Sequence, residues 1–383
     1  MTPRAGTIAV AGAYGAQGLG YAIAVTVLPE FKSRLDMTET TLALLLLGMC
    51  IAAAGGSILA DLIAVRWGSK QSLGAGLAME AAALIALTVL GDLGPFLVAF
   101  GIYGIGLGVV DAAANMQGAL VQRHTGTTVF GRFYATYTAA AMIGALVVSG
   151  AVSGGFPLLP LAVAATVQIG VVVAGAKLFD PARAARKSHE DTMARVPMPW
   201  PGIWRIGALV LAAFTVDSAV ATWSTAYLSD GLAVAAATAP LGFAVYQAAV
   251  LVARLTVDPL VRRFDRTAVT AAAIGIGVLG TVTVAVVATL PGAIIGFAAA
   301  GLSIGALVPI AFAAAGELEP DRSDEVIARV NLFNYGGAVA GAVALGLVAA
   351  GPSLGTAFLI PAVVLIAVVP TLTRPTVTRR SRV

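Results

Sequence analysis

The chain has little charge and almost none of the side chains that bind metals or activate nucleophiles. Only 11% of its 383 residues are Asp, Glu, Lys or Arg, whereas soluble domains carry about 25%. It has one cysteine, Cys50, and two histidines, His124 and His189. A single cysteine excludes a disulfide framework, and one Cys with two His does not make a usual zinc site. The sequence therefore predicts neither a soluble enzyme nor a metalloprotein, and no bound cofactor.

Hydrophobic residues, at 59% of the chain, fill long uninterrupted stretches. A helix that spans the hydrocarbon core of a bilayer needs about 20 mostly apolar residues. Twelve stretches meet that length, which predicts an all-α integral membrane protein. They are, in chain order, 7–28, 41–64, 72–91, 95–122, 131–154, 157–179, 204–229, 238–262, 268–289, 291–318, 325–350 and 353–373.

The two halves of the chain repeat one pattern at a constant offset of 197 residues. The matched pairs are Asp61 and Asp258, Arg66 and Arg263, Gly104 and Gly301, Gly108 and Gly305, Arg132 and Arg329, and Gly144 and Gly341. A duplicated membrane bundle is typical of secondary transporters. We therefore predict two pseudo-symmetric six-helix halves, 1–179 and 204–383, the second with a short basic tail, joined by the polar linker 180–203.

Lys and Arg are distributed unequally between the two sides that the twelve spans define. With both termini on one side, that side collects nearly all of them, and the other keeps only Lys32 and Arg34. Cytoplasmic loops carry such an excess, so we expect cytoplasmic termini and a multi-pass protein of a bacterial inner (plasma) membrane. The net charge of +4 then reflects topology, and no basic stripe interleaved with aromatics suggests nucleic acid as a partner.

Three acids lie inside predicted spans, where a charged side chain costs about 2.5–3.5 kcal/mol. Asp111 lies about 16 Å deep in span 4, and Asp217 lies midway along span 7. Both are predicted to bind protons, the alternative being a hydrogen bond that only joins two helices. Glu80 is in span 3, and because third helices of such halves usually lie at the outside of the bundle, we favour a structural role for it.

Uncharged polar side chains concentrate in spans 1, 4, 5, 7, 8 and 11, which line the midplane site of two-repeat transporters. Their hydroxyls and amides offer directional hydrogen bonds to a small polar solute, although each alone could equally join two helices. The predicted solute-binding residues are Gln17, Tyr21, Asn115, Tyr137, Gln247, Asn331 and Asn334.

Six plus six spans, a basic central loop and Asp-containing loops after spans 2 and 8 resemble the major facilitator superfamily. Span 4, with Asp111 followed four residues later by Asn115 after a Gly-rich start, is similar to the fucose–proton symporter branch of that superfamily. The resemblance implies that Asp111 is the protonatable group or a solute ligand. Span 1 has no acid where that branch has one, so the resemblance does not extend to the identity of the solute.

The duplicated charges also predict a gate on the cytoplasmic side. In the fold that the resemblance implies, span 2 borders span 11 and span 8 borders span 5. We therefore expect Asp61 near Arg329, and Asp258 near Arg132, when the carrier is closed to the cytoplasm. Arg66 and Arg263 flank the same two acids. The simpler alternative is that these arginines only follow the positive-inside rule.

Together these patterns predict a monomeric, proton-coupled secondary transporter of a sugar-like or other polar metabolite, driven by the proton gradient and working by alternating access. An efflux antiporter of the same fold for drugs or metabolites is the alternative, although the Gly-Pro signature of such antiporters is absent from span 5. A remote alternative is an intramembrane hydrolase, since GLSIG and GPSLG match G-x-S-x-G. A serine needs a base, and neither histidine lies inside a span. We therefore predict that the chain is not an enzyme.

Overall fold

The chain folds into helices that run back and forth in two halves. The structure is a computed structural model and describes residues 3–125, 130–181, 198–319, 323–349 and 354–372. It contains no β-strand within these ranges. The predicted linker lies mostly outside the described residues, and so does the basic tail.

The first half has six long helices and one short one. They are α1 (Pro3–Thr26), α2 (Leu28–Arg34), α3 (Glu39–Trp67), α4 (Ser69–Val89), α5 (Leu93–Thr125), α6 (Phe130–Ser153) and α7 (Leu159–Leu178). The second half begins with α8 (Trp200–Ala226), which continues as a π-helical turn at Tyr227–Gly231. It then has α9 (Leu241–Phe264), α10 (Arg266–Val286), α11 (Leu290–Leu318), α12 (Ser323–Val339), a π-helical turn at Ala340–Ala344, α13 (Leu345–Ala349), α14 (Leu354–Ala357), α15 (Leu359–Ala367) and α16 (Val369–Leu372).

The helices follow the predicted spans with two differences. Eleven helices in the described ranges are long and apolar enough to cross a membrane. The predicted twelfth span, 353–373, is instead a series of short helices from α14 to α16. The first span is followed at once by α2, so its helical segment extends to Arg34 rather than ending near residue 28. The all-α membrane fold expected from the sequence is confirmed.

The repeated glycines have the same packing task in both halves. A Cβ added to Gly108 would lie 1.8 Å from the Ala53 carbonyl oxygen, so α5 touches α3 at backbone distance. A Cβ on Gly305 would lie 2.5 Å from the Val250 oxygen, which joins α11 to α9 in the same way. Close backbone approach is how helices associate in lipid, so the duplication in sequence is a duplication of helix contacts.

The corner after the second span of each half also repeats, with different residues. Gly68 connects α3 to α4 at φ 101°, and Asp265 connects α9 to α10 at φ 67°. Aspartate is among the few residues that tolerate this left-handed region. Its Oδ1 accepts hydrogen bonds from the Thr267 and Ala268 amides at 2.6 and 3.2 Å, which caps α10. The replacement of glycine by Asp265 therefore preserves the turn and adds a helix cap.

The halves meet along two main seams. In one, α6 packs on α9, and in the other α3 packs on α12, the π-helical turn after it, and α13. These are the neighbours that the major facilitator arrangement predicts for spans 5 and 8 and for spans 2 and 11. Large apolar side chains such as Val89 and Val286 are exposed, as expected of a protein that lipid surrounds.

Candidate functional site

Asp111 lies in the middle of α5, 14 residues before the helix ends at Thr125. Its carboxylate is hydrogen-bonded by the Gln17 side chain from α1. Gln17 is almost fully buried, with 4% of its surface exposed, so the amide is held against the acid by the surrounding helices. The sequence analysis placed both residues in the site, and the structure brings them into contact.

Asn115, one turn after Asp111, links three helices of the first half. Its Nδ2 donates to the Asp111 backbone oxygen at 2.8 Å. Its Oδ1 accepts from the Tyr14 hydroxyl of α1 at 2.7 Å and from the Tyr134 hydroxyl of α6 at 3.3 Å. The Asn115 amide is therefore already occupied in this state, and a solute would have to compete with two tyrosines for its oxygen.

Asp217 is the intramembrane acid of the second half, near the middle of α8. Its carboxylate accepts a hydrogen bond from the hydroxyl of Tyr246 on α9. Tyr246 is fully buried, and Gln247 beside it is 7% exposed. Each acid therefore accepts a hydrogen bond from a neutral side chain on another helix of its own half.

Arg254 is a functional candidate that the sequence analysis missed. It lies in α9, 10 residues before that helix ends at Phe264. Its Nη1 reaches across to α6 in the other half, where it donates to the Thr138 hydroxyl at 2.5 Å and the Tyr134 backbone oxygen at 3.2 Å. It is also close enough to Asp217 for their charges to interact.

The signal for Arg254 was present in the sequence. The rule that intramembrane charge is costly and functional applies to bases as it does to acids. Arg254 lies well inside the predicted span 238–262. The lysines and arginines near loops predicted the orientation in the membrane. Arg254 does not belong to that group, because it lies inside a span.

Tyrosines from the first half approach both acids. The side chain of Tyr21 on α1 forms a hydrogen bond with Thr222 on α8 and interacts electrostatically with Asp217. Tyr137 on α6 is close enough to interact with Asp111 and Asp217. The two predicted proton-binding acids therefore border one shared region between the halves.

Three predicted solute-binding amides make no hydrogen bond to the rest of the described chain. Two of them, Asn331 and Asn334, are half-buried on α12, and the third is Gln247 on α9. Asn331 is one turn before Tyr335, whose hydroxyl lies 3.5 Å from that of Ser57 on α3. The contact shows that this face of α12 lies toward the first half. Amide donors and acceptors are therefore available there.

The two ends of the molecule differ in their contacts between the halves. At one end, Lys32 of α2 forms ion pairs of 2.5 Å with Asp230 of the second half and with Glu39. Ser149 also donates to the Ala237 carbonyl oxygen there, at 2.5 Å. The halves are therefore joined at the end of the molecule opposite the start of α1.

At the other end, the acids of the two predicted gate pairs do not form those ion pairs. Asp61, Arg132 and Asp258 are exposed and form no ion pair with the described residues. Arg66 and Arg263 lie against the adjacent rings of Trp67 and Phe264, at 4.9 and 5.1 Å. Arg329 lies 5.8 Å from the Trp200 ring. The gate was predicted for the state closed at this end, so it stays a prediction.

The G-x-S-x-G motifs do not form a catalytic arrangement in the described residues. Ser303 of the first motif is buried in α11, and its hydroxyl has no hydrogen-bond partner there. His124 lies instead beside Asp180, with Nδ1 and Oδ2 3.2 Å apart. Ser353 of the second motif and His189 lie outside the described residues. A serine without a base is not an activated nucleophile.

Known proteins match this chain over most of its length. A family model described as Major Facilitator Superfamily matches residues 10–229 and 205–382. An uncharacterized MFS-type transporter of Yersinia pestis is 26% identical over 345 residues, which cover 89% of this chain and 88% of that protein. These matches are to transporters and not to enzymes.

Solved structures share the fold across both halves. A mutant of the nucleoside transporter NupG superposes with a TM-score of 0.75 at 14% identity, covering 95% of this chain and 98% of that one. FucP, a Major Facilitator Superfamily transporter in the outward conformation, gives 0.65 at 16% identity, covering 96% and 97%. The expected resemblance to FucP is confirmed, and at such identities it is a likeness of fold.

Proposed function

This chain belongs to the Major Facilitator Superfamily and is a secondary transporter, and we propose that it moves a small polar organic solute coupled to protons. The solute is sugar-like or another polar metabolite. The proton gradient drives it, and access alternates between the two ends. We further propose that the protein works as a monomer without a cofactor in a bacterial inner membrane, with cytoplasmic termini.

The observation that carries the proposal is the pair of intramembrane acids at the interface of the halves. Asp111 and Asp217 lie near the middles of α5 and α8, and Tyr137 interacts with both. Carboxyl groups are the common proton carriers of transporters. Around them, Gln247, Asn331 and Asn334 keep hydrogen-bonding capacity that the described protein does not use, which suits a solute rich in hydroxyl or carbonyl groups.

Alternating access is supported by the difference between the two ends. An ion pair and a hydrogen bond join the halves near Lys32, whereas Asp61 and Asp258 of the predicted opposite gate are exposed and form no ion pair with the described residues. A carrier needs two such states, each with one end closed. We take the structure as the state closed at the end of Lys32, in which the gate of Asp61 and Asp258 is not formed.

Proteoliposome uptake tests the proposal directly. The purified carrier would be assayed with radiolabelled sugars, sugar acids, nucleosides and aromatic antibiotics, each with and without an imposed pH gradient. We expect at least one sugar or other polar metabolite to accumulate above its outside concentration only with the gradient. Accumulation of the same solute without a proton gradient would contradict proton coupling, and transport restricted to the antibiotics would favour the efflux alternative.

A further inference from the structure

Glu80 forms a buried polar cluster that the transport scheme above does not use. It lies on α4, with none of its surface exposed. Its Oε2 accepts a hydrogen bond from the Gln168 Nε2 of α7 at 2.5 Å. The side chain therefore points into the first half, between helices, rather than out to lipid.

Several polar atoms of the cluster have no hydrogen-bond partner. Glu80 Oε1, Gln168 Oε1 and the Tyr103 hydroxyl are all buried and have no partner among the described residues. Two glycines fix these side chains in place. A Cβ on Gly106 would lie 2.9 Å from Glu80 Cγ, and a Cβ on Gly20 would lie 2.6 Å from Gln168 Nε2. The polar atoms are therefore held in a tightly packed site.

The groups that face Glu80 leave a negative charge uncompensated. Tyr103 and Asp111 of α5 interact with Glu80 electrostatically. From α7, the neutral amide of Gln168 donates a hydrogen bond to it. The helices α1 and α3 also pack on α4, and in the described chain they bring no charged side chain into interaction with it. No Lys, Arg or His of the described residues pairs with Glu80.

An ionised carboxylate in this setting would be costly, because burying an unpaired charge loses its hydration without an ion pair in return. A neutral carboxyl instead brings one O–H donor to a cluster that has unmatched acceptors. Asp111, which is half-buried, would also repel a second negative charge nearby.

We propose that Glu80 is a second proton-binding site of the first half, that it is protonated in this state, and that its proton exchanges through Asp111. In the exchange, the O–H bond on Glu80 breaks and an O–H bond forms on the Asp111 carboxylate. The negative charge moves from Asp111 to Glu80, and no other reactant is needed. Asp111 is the route because it is the acid whose charge interacts with Glu80 and because it is partly accessible. The coupling role rests on the proposed function, but the bound proton does not.

Infrared difference spectroscopy of the purified full-length protein tests the bound proton without any solute. At neutral pH, the wild-type spectrum should contain a protonated-carboxyl C=O stretching band that Glu80→Gln removes. The matched control is Glu317→Gln, which changes an exposed acid paired with Arg266 at 2.6 Å and should leave that band intact. A wild-type band that persists in Glu80→Gln, with a carboxylate band lost instead, would overturn the proposal.

A second variant covers the case in which Glu80→Gln does not fold. Gln168→Leu removes the one amide that bonds to Glu80, so the Glu80 carboxyl band should shift to higher frequency. An unshifted band would mean that Glu80 does not hold its proton in this cluster.

Hydrogen–deuterium exchange tests the route. After transfer to D2O, the Glu80 band should shift at least about tenfold more slowly in Asp111→Asn than in the wild type, whereas an equal rate would exclude Asp111 as the path. The proposal and the proposed function fail separately. If the Glu80-dependent band is present but uptake does not depend on the gradient, only the proposal of proton-coupled transport is contradicted. If uptake is driven by the gradient but the band is absent, only the proposal of the Glu80 site is contradicted.

Discussion

The two halves hold their intramembrane acids in different electrostatic surroundings. Asp111 is bonded by Gln17, and its other polar neighbours in the first half are neutral or acidic. Asp217 is bonded by Tyr246 and also lies within the influence of Arg254. A nearby cation offsets the charge of a carboxylate, and a nearby acid does the opposite. The comparison favours Asp111 as the group that changes protonation during transport.

The two acids also differ in where their partners lie. The site of Asp111 is formed within one half, whereas the site of Asp217 includes a residue that joins the halves. The partners of Asp111 and Asn115 come from α1 and α6 of the same half. Arg254, by contrast, donates to Thr138 and to the backbone of Tyr134 in the other half. We infer that the proton-binding site lies in the first half. The second half contributes the charge of Arg254, whose hydrogen bonds form only when the halves are together.

The strongest test of this comparison is to neutralise each acid in turn. Asp111→Asn should abolish gradient-driven accumulation but leave solute exchange intact, because the amide keeps the shape and cannot take up a proton. The matched variant Asp217→Asn should retain measurable accumulation. Uptake and exchange in proteoliposomes separate the two effects. Wild-type accumulation by Asp111→Asn would assign coupling elsewhere, with Asp217 the next candidate.

Arg254→Gln should give the next largest effect. It removes a charged donor across the interface, and hydrogen bonds to charged groups contribute about 1.5–3 kcal/mol, or roughly tenfold or more in an equilibrium. We expect exchange to slow by about that factor. Arg254→Lys should recover part of it, and Thr138→Val, which removes one acceptor, should cost less.

A double variant sharpens the role of Arg254. Removing one partner of a charge pair leaves the other uncompensated, so Arg254→Gln with Asp217→Asn should transport better than Arg254→Gln alone. If the two effects simply multiply, Arg254 acts through its contacts on α6 and not through the charge of Asp217.

The apolar lengths and the repeat offset were enough to predict most of the fold. Spans near 20 residues must become helices in lipid, because backbone groups there have no water to bond. The offset also predicted which glycines do the same packing in each half, as Gly108 and Gly305 do. The last span was predicted as one helix, although Pro361 and Pro370, just inside α15 and α16, mark the breaks before these two helices.

The site was predictable by residue type but not by partner. Helical periodicity places Asp111 and Asn115 on one face of their own helix, but it does not say which neighbour meets that face. Tyr14 and Asn115 are 101 residues apart in sequence, and only the packing of α1 on α5 brings them together. The partner of Glu80 was unpredictable for the same reason, because its helix position did not reveal that Gln168 faces it.

The smallest effects on transport are expected at the predicted gate, whose charges are duplicated in the two halves. Exposed ion pairs contribute about 0–1 kcal/mol, so Asp258→Asn or Asp61→Asn should shift the balance between states by about fivefold at most. Cysteine crosslinking detects the geometry more clearly, in a background where the native Cys50 is replaced by alanine. Cysteines at 61 and 329, and at 258 and 132, should crosslink only in the state closed at that end.

A third cysteine pair at positions 32 and 230 provides the reciprocal control. Lys32 and Asp230 are paired in the present structure, so this pair should crosslink in the state in which the other two pairs do not. Solute and pH should then move the three pairs in opposite directions, because a carrier that opened both ends at once would leak. If the 32–230 pair crosslinks but neither gate pair does so under any condition, the duplicated arginines serve membrane orientation alone.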